Sequence, residues 1–285
     1  MRIMSWNIQW GRGADGRIDI ERIVSALRAA APDIICLQEV ARHFDGLVGG
    51  EVGDEVERLA AAFPAHAPVF GAAVDVARAA GGRAQFGNLV LSRVPIVQVF
   101  RHLLPNPPDP DVPNMQRGCV EVVVAAAFGP LRVLTTHLEY YSALQRHAQA
   151  EALRALQQNV AASARDKPGA GKDGNPAFAA RPRPLAAILC GDFNCEPGSR
   201  EHAALARPLA SHPGGGWHDA WTIANPASPH APTVGLHGAE WPDRPYCCDF
   251  FWVAGDARAR VRALRVEAAT AASDHQPLIL DLDAR

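Results

Sequence analysis

Six short tracts hold the side chains with which a phosphate-cutting metal site would work. They are Ser5-Trp6-Asn7, Leu37-Gln38-Glu39, Thr135-Thr136-His137, Gly191-Asp192-Phe193-Asn194, Cys248-Asp249-Phe250-Phe251 and Ser273-Asp274-His275. Each joins an apolar run of strand length to a carboxylate, amide or imidazole. Such groups are costly to bury unless they pair, bind a metal or hold a ligand. Their recurrence where apolar runs close implies a site assembled at the ends of buried strands. In the Gly191 tract, glycine allows close backbone approach, and Asp192 and Asn194, two apart on extended chain, point to one side. An Asx-rich turn ending a strand is the alternative for that tract taken alone.

Glu39 follows four apolar residues and one Gln. A carboxylate there suits magnesium, because hard divalent ions prefer oxygen ligands; capping of a neighbouring helix is the alternative. Asn7 either joins such a site or fixes a turn through its own side chain. Among 11 histidines, His137 and His275 stand out by position, and the rest read as solvated or structural. Asp274 precedes His275, and Asp249 closes another candidate strand. A carboxylate on one ring nitrogen fixes the tautomer and favours the charged imidazole. Arg117 offers a bidentate fork for a phosphate, or is a surface arginine. Arg258, Arg260 and Arg262 alternate on one face of an expected strand around Val261, within an arginine-rich stretch over 258–265. They read as charged protection of a sheet edge before an anion site. Trp217, Trp221, Trp241 and Tyr246 offer a stack for a base or a lining for a lipid groove, but read as core or loop packing before either.

These tracts need elements to position them. Arg2–Trp6 reads as a buried strand, and Asp19 caps a helix to about Ala30 with Ile20, Ile23, Val24, Leu27 and Ala30 near one face. Pro32-Asp33 turns the chain into the strand Ile34–Leu37, which delivers Glu39. This strand–helix–strand start points to an α/β fold. A helix is expected over Asp54–Phe63, then a Gly/Ala-rich connection, then a strand at Asn88–Ser92. Leu104–Pro113 carries five prolines and reads as loop. Cys119–Phe128 and Leu131–Thr136, split by Gly129-Pro130, read as a hairpin. Ser142 caps a long helix to about Ser163 with an apolar stripe of Leu144, Ala148, Ala152, Ala155 and Leu156. The segment 165–184 reads as a mobile surface loop, and Leu185–Cys190 as the strand feeding Asp192.

The chain has 285 residues, 48% hydrophobic and 20% charged, as an ordinary globular protein does. Its net charge of −2 lacks the basic excess expected of a sequence-blind nucleic-acid binder, though a local basic groove stays open. No apolar run reaches the ~20 residues of a membrane helix, and no signal peptide precedes Asn7. A cytoplasmic address is expected. The 6 cysteines fit no zinc spacing and are expected as free thiols. Candidate site residues run from Asn7 to His275, so one domain over 1–285 is the economical organisation, with no appended docking module.

Taken in this order, the tracts resemble the endonuclease/exonuclease/phosphatase superfamily, which includes exonuclease III-like nucleases, pancreatic-type deoxyribonucleases, neutral sphingomyelinases and inositol polyphosphate 5-phosphatases. The resemblance spans essentially the whole chain. It implies a four-layered α/β sandwich, two mixed β-sheets packed face to face with helices outside. It also implies hydrolysis of a phosphate ester with Mg2+ or Mn2+. By position, Glu39 is then the principal metal ligand, with Asn7 and Asp274 beside it. Asp192 orients or deprotonates the attacking water, and Asn194 holds the phosphate. The Asp249–His275 pair stabilises developing charge, and His137 assists a phosphate oxygen or the leaving group. Arg117 and Asn88 fit outer phosphate-side positions. Thr136-His137-Leu138-Glu139 is closer to the sphingomyelinase and general phosphodiesterase branches than to the exonuclease III branch. Phe250-Phe251-Trp252 departs from the tyrosine or histidine and branched aliphatic residue of many relatives, a change expected to alter packing more than chemistry. A phosphodiesterase is therefore expected. Nuclease action on DNA or RNA, or phosphomonoesterase action on a metabolite, is the alternative. A non-catalytic binding module on the same scaffold is the remote one.

Overall fold

The computed structural model describes residues 1–163, 174–181, 183–210, 212 and 214–283. In chain order the first half runs β1 (Arg2–Asn7), α1 (Ile20–Ala30), β2 (Ile34–Arg42), α2 (Glu55–Ala62), β3 (Ala67–Ala77), β4 (Arg83–Ser92) and β5 (Ile96–Leu103). It continues with β6 (Gly118–Ala126), β7 (Gly129–His137) and α3 (Ala143–Ser163). The remainder is β8 (Ala187–Asp192), α4 (Arg200–Ala206), β9 (His218–Asp219), α5 (Ala220–Ala224), β10 (Asp249–Ala254), β11 (Val261–Val266) and β12 (Leu278–Leu282).

Two six-stranded sheets form, ordered β11-β12-β1-β2-β4-β3 and β5-β6-β7-β8-β10-β9. Both are mixed: β1 pairs parallel with β2 and β7 with β8, while the other pairings are antiparallel. The continuous apolar runs of the sequence follow from burial on both strand faces. Ile3, Ile34 and Cys36 pack inward against Val122, Val133 and Cys190 of the other sheet. Their neighbours Met4, Ile35 and Leu37 point outward to Ile23 and Leu27 of α1 and Leu59 of α2. Leu134, Leu189 and Trp252 likewise face Leu153 of α3 and Leu205 of α4. Helix, sheet, sheet and helix make the four expected layers. Asp19 and Asp54 cap α1 and α2 through their side chains, as the sequence implies for helices starting there.

Three expectations need correction. The connection after α2 is not loop: β3 and the whole of β4 form a hairpin there, and β5 is a further strand. Alanine and glycine hide β3. Gly87 is required, since a Cβ there would lie 2.1 Å from the Gly71 carbonyl oxygen. Secondly, α3 does not bury the predicted stripe. Leu144 is exposed, and Gln145, Gln149, Leu153, Gln157 and Val160 face inward. The glutamines answer carbonyls of irregular segments: Gln145 Nε2 donates to Pro107, Gln149 Nε2 to Pro105, and Gln157 Nε2 to Leu185 and Gly215. Buried backbone that lies outside a ladder still needs partners. Thirdly, Arg258 and Arg260 lie in a 3-10 turn, Gly255–Arg260, before β11 rather than on a strand. Arg262 does lie on β11, an edge strand, where it pairs with Asp283 at 2.7 Å. The mobile loop expected over 165–184 falls outside the described residues at 165–173 and 182. All six cysteines are free and buried. Among the described residues no helix is long and apolar enough to cross a membrane.

Candidate active site

The topology brings one end of both sheets together. Asn7, Glu39, His137 and Asp192 come from the carboxyl ends of β1, β2, β7 and β8. Asp249 opens β10 rather than closing a strand, and the antiparallel register sets it opposite Asp192. Asp274 and His275 precede β12, which runs antiparallel to β1 and so starts near Asn7. Antiparallel pairing thus places strand starts beside strand ends, which the tract order alone does not reveal.

Local backbone aims the groups. A register shift between Leu37 and Val40 bulges β2, and Glu39 adopts φ +56° within it. The bulge turns its carboxylate into the site, while Gln38 points between the sheets and donates to Thr135 Oγ1 at 2.8 Å. Gly191 lies against β7, where a Cβ would come within 1.9 Å of the Thr136 carbonyl oxygen. The Asx turn also forms, Asn194 N donating to Asp192 Oδ1 at 2.9 Å with Asn194 at φ +49°. Asp192 and Asn194 are therefore not two apart on extended chain; the turn sets their placement.

Asn7 Nδ2 donates to Glu39 Oε1 at 2.9 Å and to Asp192 Oδ2 at 3.0 Å, bridging the two sheets. Burial raises the Glu39 carboxyl to about 7; the Asn7 hydrogen bond opposes this and Asp274 adds to it. Burial raises Asp274 as well. Ligand atoms of Glu39, His137 and Asp192 lie within 4.8 Å of one another. An oxygen-rich set of carboxylates, with Glu39 and Asp274 reluctant to ionise, fits a hard divalent cation, which would restore the charged forms of these two.

The two histidines have opposite character. Burial drives His137 down to about 3, helped by Arg117, so its imidazole is neutral. Its Nε2 lies 3.0 Å from Asn194 Nδ2 and 3.3 Å from Asp192 Oδ2. Burial also opposes charge on His275, but the carboxylates of Asp249 and Asp192 prevail and hold it well above the ordinary histidine range. His275 Nδ1 is 2.9 Å from Asp249 Oδ2, whose position is fixed by a 2.6 Å bond from Thr233 Oγ1. His275 Nε2 faces Asp192 Oδ2 at 3.6 Å.

Arg117 is buried, not a surface residue. Its Nε donates to Glu139 at 3.1 Å, and its Nη1 is buried without a partner beside the site. Asn88 donates to the Gly118 carbonyl at 3.0 Å and so supports the start of β6. Asn194 Nδ2 donates to the Leu138 carbonyl at 2.9 Å, which leaves it less free to hold a phosphate. Sequence reading passed over Thr233, Ser273 and Glu139 as supports. Ser273 Oγ ties the Asn7 carbonyl at 2.8 Å and Asp274 Oδ1 at 3.2 Å. Trp241, read as packing, lines the cleft beside these groups. No motif marks it, because its neighbours Tyr140 and His275 are remote in sequence.

The family described as Endonuclease/Exonuclease/phosphatase matches residues 4–275. No curated protein matches the chain. Among solved structures, an endonuclease/exonuclease/phosphatase from Beutenbergia cavernae DSM 12333 is similar at 24% identity and TM-score 0.63, covering 100% of this chain and 71% of that one. The human Nocturnin catalytic domain with bound sulfate is similar at 19% identity and TM-score 0.62, covering 100% and 93%. The mannosyl-6-phosphatase Bt3783 of Bacteroides thetaiotaomicron VPI-5482 is similar at 17% identity and TM-score 0.65, covering 99% of each chain. At such identities the likeness concerns the fold. The family match over nearly the whole length goes further: the chain belongs to the Endonuclease/Exonuclease/phosphatase family, whose members are hydrolases acting on phosphate esters.

Proposed function

We propose that this chain is a magnesium- or manganese-dependent phosphodiesterase. Glu39, Asn7 and Asp274 would hold the ion, and bound there it would offset phosphate charge and polarise the scissile bond. Asp192, fixed by Asn7 and the Asx turn, orients the attacking water and takes its proton. His275, kept protonated by Asp249, donates from Nε2 to a phosphate oxygen as negative charge develops on it. His137, neutral through burial, faces an oxygen of the phosphate or of the leaving group. Arg117 offers Nη1 to the phosphate, and Asn88 and Asn194 position the strands and turn around it. The participation of residues from Asn7 to His275 supports a single catalytic domain. The six unpaired cysteines support a reducing, cytoplasmic setting.

The observation that carries the diester reading is the charge balance of the cleft. Its cationic side chains are His275, already facing Asp249, and Arg117, already facing Glu139. A diester brings one negative charge to such a site, whereas a monoester dianion brings two. After chelation and re-addition of magnesium, bis-p-nitrophenyl phosphate is therefore expected to turn over with a higher kcat/KM than p-nitrophenyl phosphate. Turnover that persists without metal, or that favours the monoester, contradicts the reading.

A further inference from the structure

The reactive groups occupy only one end of a cleft of about 650 Å³. The rest of it is apolar. One wall is built by Trp10, Phe44, Leu47, Phe86 and Met115, which cluster beneath the cleft floor. Its rings brace one another: Phe44 meets Phe86 edge to face at 6.0 Å, and Trp10 is tilted against Phe86 at 6.2 Å. Trp10 is further pinned by its Nε1, which donates to the Val48 carbonyl at 2.9 Å. Opposite stands a second aromatic wall, with Tyr140 at 5.4 Å from Trp241 and nearly perpendicular to it. Trp241 also lies 6.3 Å from His275, so the apolar space begins directly at the reacting phosphate.

We infer that this cleft receives an apolar alkyl or aryl alcohol of the scissile phosphodiester, so that the substrate is an amphiphilic diester rather than a polynucleotide. The inference rests on the phosphodiesterase reading and adds what the ester carries. Three features support it. The walls adjoin the phosphate site, so a group on the ester oxygen enters them without a linker. Their volume suits a ligand-sized group, and ligand pockets are mostly apolar with a few placed polar groups. Among the described residues, no cationic side chain lines the cleft beyond Arg117 and His275, and both already face a carboxylate of the chain. A nucleic acid draws most of its affinity from successive phosphates met by Lys or Arg, and here the neighbouring phosphates would face hydrocarbon.

Symmetric dialkyl phosphates test this as competitive inhibitors of metal-dependent bis-p-nitrophenyl phosphate hydrolysis. From dimethyl through dibutyl to dihexyl phosphate, Ki is expected to fall about four-fold for each methylene that enters the cleft. Trp10→Ala and, independently, Phe44→Ser are expected to raise Ki for dihexyl phosphate about ten-fold while leaving that for dimethyl phosphate unchanged. The wild-type series needs no variant to fold. Equal Ki values along it, tighter inhibition by a single-stranded oligonucleotide than by dihexyl phosphate, or equal losses on dimethyl and dihexyl phosphate in both variants overturn the inference. Absence of any metal-dependent diester hydrolysis defeats the underlying reading instead, which keeps the two failures apart.

Discussion

Two buried polar clusters in this molecule use the same chemistry to opposite ends. On the outer face of the second sheet, Glu121 has 0% side-chain exposure and is met by three basic groups. These are Arg132 at 2.7 Å, His102 at 2.8 Å and Arg183 at 3.1 Å. Burial alone would raise its carboxyl, but these partners outweigh it and hold Glu121 far below the ordinary range. Arg132 passes a further bond to Gln157 of α3 at 2.8 Å, so the cluster fastens helix to sheet. At the cleft the ratio reverses. Glu39, Asp192, Asp249 and Asp274 share His275 and a half-committed Arg117, and burial leaves Glu39 at about 7. The Glu121 carboxylate is satisfied by the chain itself, although Arg132 Nη2 is buried without a partner. The second cluster is short of positive charge, which on the proposed reading a divalent cation would supply. A surplus of basic partners marks the first cluster, and a charge deficit marks the second.

The sharpest break in that contrast is Glu39→Gln. Metal-dependent turnover is expected to fall about a thousand-fold or more, while thermal melting of the metal-free protein stays level or rises because a repelling buried carboxylate is gone. Arg132→Met is the mirror case. Denaturant titration should show a loss of about 1–3 kcal/mol from removing one of the three partners of Glu121 and the bond to Gln157, with kcat of the folded fraction unchanged. Asp249→Asn withdraws the carboxylate that keeps His275 charged, and steady-state kinetics should show kcat lower by about a hundred-fold. Acid separates the clusters as well. The folded Glu121 binds its proton more weakly than the unfolded one. Its contribution to stability is therefore present above the ordinary glutamate range and is lost as pH falls toward the depressed folded value. Melting temperatures measured downward from pH 6 should drop in the wild type and flatten in Glu121→Gln. Smallest of all, Arg262→Ala on the edge strand should cost no more than about 1 kcal/mol.

The layers and the six reactive tracts were legible because burial on both strand faces writes continuous apolar runs and because polar residues ending such runs are costly. What stayed hidden had physical causes. The β3 strand is written in alanine and glycine, whose side chains carry little strand signal, and it is stabilised by a hairpin partner rather than by its own pattern. The inward face of α3 is glutamine because it meets the bare carbonyls of a proline loop, so hydrophobic periodicity pointed to the wrong stripe. The bulge that aims Glu39 is a property of pairing with β4, not of the β2 sequence. Outside the cleft, His102 pairs with Glu121, and His202 and His230 pair with Asp219. The apolar walls escaped notice because Trp10, Phe86, Met115 and Trp241 come from four distant segments.

Binding of Mn2+ followed by electron paramagnetic resonance, in the wild type and in Glu39→Gln, goes most directly to the charge deficit. The account predicts one tight ion per wild-type chain and its loss in the folded variant, with Arg132→Met retaining it. Identical Mn2+ affinity in wild type and Glu39→Gln would contradict it.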